Sequence, residues 1–127
     1  MRLISFVKDG KNSFGIAAGD SVIDAGRVLA GHASLRDVLI AGALDELRAL
    51  EARAPDCALA DVALLPPIPD PAAKFLCVGI NYVPHIKEMG RERPEHPVIF
   101  VRFADSLVGH DRPMVLPAAS EQIDYEG

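Results

Sequence analysis

The residues best suited to chemistry lie directly after a short apolar run in the second half of the chain. Asn81 and Tyr82 follow that run, and His85 and Glu88 come next. If a helix begins at Pro84, His85 and Glu88 stand three residues apart on one face, so the carboxylate can orient the imidazole as a base. A surface pair at this spacing is more commonly only solvated, and Asn81 could simply satisfy backbone groups at the turn. The spacing alone leaves both interpretations open.

A second group of candidate residues stands at Asp124 and Glu126, on either side of Tyr125. In a strand, alternation would place both carboxylates on one face. Carboxylate oxygens suit a hard cation such as Mg²⁺, but two ligands are too few for octahedral coordination without further ligands or waters. Arg102 could anchor a substrate carboxylate through its guanidinium, although a surface arginine at a strand end is the simpler interpretation.

The first part of the chain predicts a small module of strands and helices that precedes these candidates. Extended patterns over residues 2–7, 13–17 and 21–24 predict a three-stranded meander with its first turn at residues 8–12. Ser34 predicts a helix start with Gly42 as its stop, and a second helical pattern covers residues 43–54. After an extended stretch at 58–65, four prolines within residues 66–71 predict a stiff connector. We therefore predict a domain at 1–70 and a second domain at 71–127.

The second domain is predicted to place its candidate residues between strands. The continuous apolar run from Phe75 to Ile80 is typical of a strand buried on both faces. Proline is tolerated at the first helical position, so a short helix can begin at Pro84 and end by Gly90. Residues 98–101 predict another strand. The predicted fold class is α+β and mostly β.

Composition excludes several classes of protein. The 127 residues carry a formal charge of −5 and no block of Lys or Arg, so neither nucleic acid nor an anionic membrane is an expected partner. The apolar runs are far too short for a membrane span. Cys57 and Cys77 are widely separated and lack zinc-type spacing, which favours a reduced, cytoplasmic protein. Nucleotide-binding glycine loops and a serine-hydrolase elbow are also missing from the sequence.

A series of separated motifs runs through the second half of the chain: Lys74 to Tyr82, His85, Glu88-Met89-Gly90, Pro97 to Phe100, Ser106 to Gly109, Ser120-Glu121-Gln122 and Asp124-Tyr125-Glu126-Gly127. In their order and spacing, these motifs resemble the fumarylacetoacetate hydrolase family. The resemblance is dense from about Lys74 onwards, whereas residues 1–70 look only loosely like the N-terminal module of bacterial members. The fold that the resemblance implies is a small N-terminal α+β module followed by the start of the family's mixed β-sheet core.

The resemblance implies a metal-dependent enzyme that acts on acylpyruvates or unsaturated 2-keto acids. The reaction would be hydrolysis of a carbon–carbon bond, or related isomerase, decarboxylase or hydratase chemistry, in aromatic or amino-acid catabolism. His85 and Glu88 match the family's His-x-x-Glu pair, which activates water or moves the substrate proton, and Glu126 matches the first glutamate of its Glu-x-Glu metal motif. A divalent cation, Mg²⁺ before Mn²⁺ or Ca²⁺, would hold the substrate oxygens, and a homodimer is expected because family members are typically dimers.

This sequence also departs from the family pattern. The second glutamate of the metal motif and the later aspartate have no counterpart, so we expect a truncated catalytic domain and an inactive 127-residue chain. Pro84 replaces an acidic residue common before the histidine, and Arg102 stands where lysine is frequent, a change that preserves a cationic substrate contact. The alternative is a non-catalytic fragment or pseudoenzyme that serves as a binding or dimerisation module.

Overall fold

The computed structural model describes residues 1–123 and divides the chain into two compact units. One unit comprises Met1–Ile68 together with the described residues from Val108 onwards, and the other comprises Pro69–Leu107. The predicted division into 1–70 and 71–127 assigns the residues from Val108 to the second domain, and it stays a prediction. No helix within residues 1–123 has the length and apolarity needed to cross a membrane.

A five-stranded antiparallel sheet forms the base of the first unit. Its strands are β1 (Arg2–Lys8), β2 (Lys11–Ala18), β3 (Ser21–Asp24), β4 (Cys57–Ala58) and β5 (Ala63–Leu64), arranged in the order β4-β3-β2-β1-β5. Between β1 and β2, Asp9 and Gly10 have φ angles of 50° and 74°. Two successive positive φ angles are what a type I′ hairpin turn requires. The predicted meander and the position of its first turn are confirmed.

Two short helices pack with this sheet to form the core of the first unit. They are α1 (Leu35–Ile40) and α2 (Leu44–Leu50). The Ser34 hydroxyl accepts a hydrogen bond from the Asp37 amide at 3.2 Å, which confirms the predicted start of α1. Gly42, with a φ angle of 67°, follows the end of α1, as predicted. The buried side chains that form the core cluster are Phe14, Ala25, Leu35, Val38 and Leu47.

The proline connector is tied to the edge of this sheet. The hydroxyl of Ser5 in β1 donates a hydrogen bond to the Pro67 carbonyl at 2.6 Å, and the Leu65 amide donates to the Ser5 carbonyl at 2.9 Å. Gly109 lies so close to β5 that an added Cβ would overlap the Leu64 carbonyl oxygen. The residues that precede and follow the second unit in sequence therefore both belong to the first.

The second unit contains two strands and the helix between them. They are β6 (Phe75–Gly79), α3 (Val83–Glu88) and β7 (Val98–Arg102), followed by a 3-10 turn at Ala104–Ser106. β6 and β7 pair antiparallel, with Gly79 opposite Val98 and Phe75 opposite Arg102. Strands outnumber helices in the described part of the chain, and the predicted α+β, mostly β class is confirmed.

Two predictions about this unit need correction. β6 is not buried on both faces, because Leu76 and Val78 on one face are exposed; an apolar run indicates a strand that suits burial, but it does not supply the layer that buries it. The helix begins at Val83 rather than Pro84, which places the proline at its second position. Proline is tolerated there because the first-turn N–H groups of a helix have no acceptor within the helix.

Candidate functional site

The candidate site is built where β6 ends and α3 begins. Ile80 follows β6 with a φ angle of 53°, a left-handed conformation that is a genuine outlier for a β-branched residue. Asn81 comes next, and Tyr82 is the N-cap residue of α3 without a side-chain capping hydrogen bond. Both Asn81 and Tyr82 are exposed. Strained backbone residues cluster at functional segments, and no local pattern predicted the conformation of Ile80.

The predicted pair of His85 and Glu88 comes together on α3. The Nδ1 atom of His85 lies 3.6 Å from Oε2 of Glu88, and the two side chains are 53% and 81% exposed. Ile86 is buried on the same helix, while these two residues remain accessible to solvent. A pair so exposed adds little to stability. With Nδ1 facing the carboxylate, Nε2 is the ring nitrogen left to exchange a proton with a substrate or water.

The structure separates Arg102 from the other predicted site residues. Asn81 and Tyr82 adjoin the carboxyl end of β6, whereas Arg102 pairs with Phe75 at its amino end. Four residues of strand correspond to about 14 Å. The half-buried Arg102 therefore lies at the far end of this sheet from the His–Glu pair, and its predicted contact with substrate stays untested.

The described residues do not by themselves form a metal site. Within residues 1–123, no three side chains of His, Cys, Asp or Glu come together in a way that could hold a metal ion. The predicted ligand Glu126 and its neighbour Asp124 lie outside the described residues. The fit of a divalent cation therefore depends on groups beyond the described residues.

A polar cleft in the first unit was not foreseen from the sequence. Its volume is about 430 Å³, and the charged side chains on its walls include Lys8, Lys11, Asp24, Arg27 and Asp56. Many of these charges already have partners: the Ser13 hydroxyl donates to Asp24 at 2.5 Å, and Arg27 lies 3.6 Å from Asp56. Burial raises the pKa of the Cys57 thiol in this cleft, and the charge of Lys8 opposes that effect. Asp56 and Cys57 join the wall of this cleft where β4 pairs with β3, a contact between distant parts of the sequence.

The second unit is thus an antiparallel pair of strands joined through a helix that carries the exposed His85 and Glu88. Residues 74–127 match the sequence profile described as Fumarylacetoacetate (FAA) hydrolase C-terminal. This match supports the fumarylacetoacetate hydrolase family that the motifs of this part of the chain predicted.

Individual relatives support the same assignment. Oxaloacetate tautomerase FAHD2A, mitochondrial, from Homo sapiens is 43% identical over 79 residues, which cover 62% of this chain and 25% of that protein. Protein Rv2993c from Mycobacterium tuberculosis is 46% identical over 69 residues, which cover 54% of this chain and 25% of that protein. A crystal structure described as an HpcE protein from Mycobacterium smegmatis matches with a TM-score of 0.65 and 29% identity, over 90% of this chain and 40% of that one. The matched region thus spans about a quarter of the length of these curated relatives.

Proposed function

We propose that this chain supplies the proton-transfer pair of a metal-dependent enzyme that acts on small 2-keto acid or dicarbonyl substrates. The observation that carries the proposal is the exposed contact of 3.6 Å between His85 and Glu88 on the helix that follows β6. The human relative is an oxaloacetate tautomerase, and tautomerisation of a 2-keto acid moves a proton between the carbon beside the keto group and the keto oxygen. An imidazole held by a carboxylate suits that transfer.

In the proposed mechanism, His85 acts as the base and Glu88 as its partner. In tautomerisation, Nε2 takes the proton from the carbon beside the keto group and delivers it to the keto oxygen. In hydrolysis, Nε2 takes a proton from the water that attacks the carbonyl carbon and delivers it to the carbon that leaves when the carbon–carbon bond breaks. The Glu88 carboxylate then faces the imidazolium that forms and stabilises its charge. Asn81 and Tyr82, next to the amino end of α3, offer an amide and a phenol as hydrogen-bonding groups for substrate oxygens. The proposal includes several reactions, namely hydrolysis of acylpyruvates and isomerisation, decarboxylation or hydration of unsaturated 2-keto acids.

The cofactor and the assembly belong to the same proposal. Glu126 is the ligand proposed for a divalent cation, with Mg²⁺ preferred over Mn²⁺ or Ca²⁺ because carboxylate oxygens suit hard cations. Bound there, the cation would polarise the substrate's keto oxygen. A homodimer, a cytoplasmic location and a role in catabolism also stay predictions. The non-catalytic binding or dimerisation module remains the alternative, and it predicts no turnover and no dependence on metal.

A substrate panel tests the proposal. The gene product, purified in its full encoded length, would be assayed with oxaloacetate, acylpyruvates and unsaturated 2-keto acids, in Mg²⁺ and in EDTA. We expect turnover of at least one substrate in Mg²⁺ and its loss in EDTA. No turnover across the panel, or turnover that ignores EDTA, would contradict the proposed enzyme and favour the binding module.

A further inference from the structure

The polar cleft of the first unit lies on one face of the five-stranded sheet, beside the turn between β1 and β2. Lys8 stands opposite Lys11 in this hairpin, and Asp24 stands opposite Gly15. Opposite residues of an antiparallel pair project from the same face of a sheet, and so do residues two positions apart along a strand. The cleft residues Lys8, Lys11, Ser13 and Asp24 therefore share one face.

Asp24 is the buried carboxylate of this cleft, with an exposed fraction of 7%. Its Oδ1 atom accepts the hydrogen bond from the Ser13 hydroxyl, whereas its Oδ2 atom has no hydrogen-bond partner within residues 1–123. In the same range, every fully buried side-chain oxygen or nitrogen has a hydrogen-bond partner. Oδ2 of Asp24 therefore reaches the open space of the cleft, where it can accept a hydrogen bond from a ligand.

Lys11 is a basic residue of the cleft that stays unpaired. Lys8 lies 2.9 Å from Asp9, and Arg27 lies 3.6 Å from Asp56. In the part of the chain that the structure describes, the exposed ammonium of Lys11 has no such partner. The cleft thus presents one unpaired ammonium and one free carboxylate oxygen from the same face of the sheet.

These two opposite charges determine the class of ligand. A simple anion would complement Lys11 but face the carboxylate of Asp24, and a simple cation would meet the reverse arrangement. We propose that the polar cleft binds a small zwitterion of the amino-acid class, whose ammonium donates to Oδ2 of Asp24 and whose carboxylate accepts from Nζ of Lys11. The cleft volume of about 430 Å³ is that of a small-molecule site. This site is independent of the proton transfer proposed for His85.

Isothermal titration of the full-length gene product tests the proposal. The probes are glycine, 4-aminobutyrate and 6-aminohexanoate, each compared with the amine and the carboxylate of the same carbon skeleton. We expect at least one of these zwitterions to bind about 10- to 100-fold more tightly than either of its singly charged analogues. The reason is that each analogue lacks one of the two charge-assisted hydrogen bonds.

Matched variants identify the two groups that hold the ligand. Lys11→Gln should weaken binding of the zwitterion about 10- to 100-fold, whereas Lys74→Gln, which changes an exposed lysine of the second unit, should leave it unchanged. Asp24→Asn keeps an oxygen for the Ser13 hydroxyl but removes the charge, and it should weaken binding to a similar extent. Far-UV circular dichroism verifies that each variant is folded.

Cys57 reports whether the probe occupies this cleft, since its side chain is part of the wall. With the probe at about ten times its Kd, iodoacetamide should alkylate Cys57 about tenfold more slowly, because only the unoccupied protein reacts. Cys77, which belongs to the second unit, is the internal control, and its rate should not change. Peptide mass spectrometry measures both rates in the same sample.

Several outcomes would overturn the proposal. The first is that none of the three zwitterions binds, and the second is that a singly charged analogue binds as tightly as its zwitterion. Wild-type affinity in Lys11→Gln or in folded Asp24→Asn would also contradict it. Unchanged alkylation of Cys57 in the presence of a bound probe would place the ligand outside the cleft.

Discussion

Leu47 offers the sharpest test of how the first unit is held together. Its side chain is fully buried, with 0% exposure, in the cluster that joins α1 and α2 to Phe14 of β2 and to Ala25. Ile40, at the end of α1, is 68% exposed and serves as the matched control. Truncation to alanine should therefore lower the free energy of unfolding much more at Leu47 than at Ile40.

The expected magnitude follows from burial. Truncation of a fully buried leucine to alanine lowers the free energy of unfolding by about 2–5 kcal/mol. The lower half of that range applies where neighbouring side chains can relax into the space. Leu44 and Leu50 are only partly buried beside Leu47, so we expect about 2–3 kcal/mol for Leu47→Ala. Ile40→Ala should change the free energy of unfolding by less than about 0.5 kcal/mol. With a urea m-value of about 1–1.5 kcal/mol/M for a small unit, Leu47→Ala should lower the midpoint by about 2 M.

Urea unfolding followed by far-UV circular dichroism measures this difference, since the chain has no tryptophan to report by fluorescence. The packing described here predicts a large shift for Leu47→Ala and almost none for Ile40→Ala. Equal shifts for the two variants, or a change below about 0.5 kcal/mol for Leu47→Ala, would refute the assignment of α2 to the core.

Three further predictions concern local features. Gly109→Ala should destabilise the chain by about 1–3 kcal/mol, because the added Cβ overlaps the Leu64 carbonyl oxygen. Gly31→Ala is the control, since its added Cβ enters open space and should have little effect on stability. Equal thermal unfolding of the two variants would contradict the close approach of Gly109 to Leu64. Ser34→Ala removes the acceptor for the Asp37 amide and should lower the free energy of unfolding by about 1 kcal/mol, measured with urea. An unchanged free energy of unfolding would contradict a stabilising role for this cap. Because burial raises the pKa of Cys57, iodoacetamide should alkylate this thiol more slowly at pH 8 in the native chain than in urea, as measured by peptide mass spectrometry. Alkylation should be slower still in native Lys8→Met, because the charge of Lys8 lowers that pKa. Equal rates in the native and unfolded chains would count against the burial of Cys57. The folded state retains this proton more tightly than the unfolded state, so the contribution of Cys57 to stability is lost as the pH rises through its raised pKa.

Local patterns were enough to predict much of the first unit. The alternation in β1 and β2, the Asp9-Gly10 turn and the Ser34 cap act over a few residues, so the sequence carries them directly. The two-residue strands β4 and β5 depend instead on pairing with β3 and β1 across long stretches of chain. The extended pattern predicted at residues 58–65 includes β5, but the strand with which it pairs, and the cleft beside β4, depend on contacts between distant residues that no local pattern shows.

Part of the candidate site could likewise be predicted from local patterns, and part of it could not. Helical spacing predicted that His85 and Glu88 would meet, and they do. It could not predict that the antiparallel register would place Arg102 at the far end of β6, because register is set by the pairing of two strands. A β-branched residue argues against a left-handed backbone, so the conformation of Ile80 ran counter to its own preference. Glu126 lies outside the described residues, so its proposed role as a metal ligand still rests on the family motif.

We propose that His85 moves a proton in the reaction of the full-length gene product. The most direct measurement is kcat/KM for the best substrate in the wild type, in His85→Ala and in His110→Ala. His110 is a matched control because its Nε2 atom also lies 3.6 Å from a carboxylate, that of Asp111, with both side chains exposed. We predict that His85→Ala lowers kcat/KM by about 10²- to 10⁴-fold, while His110→Ala stays within about twofold of the wild type. Metal affinity, measured by isothermal titration, should not change in His85→Ala. Equal activity of His85→Ala and the wild type, or a loss explained by weaker metal binding, would contradict the claim.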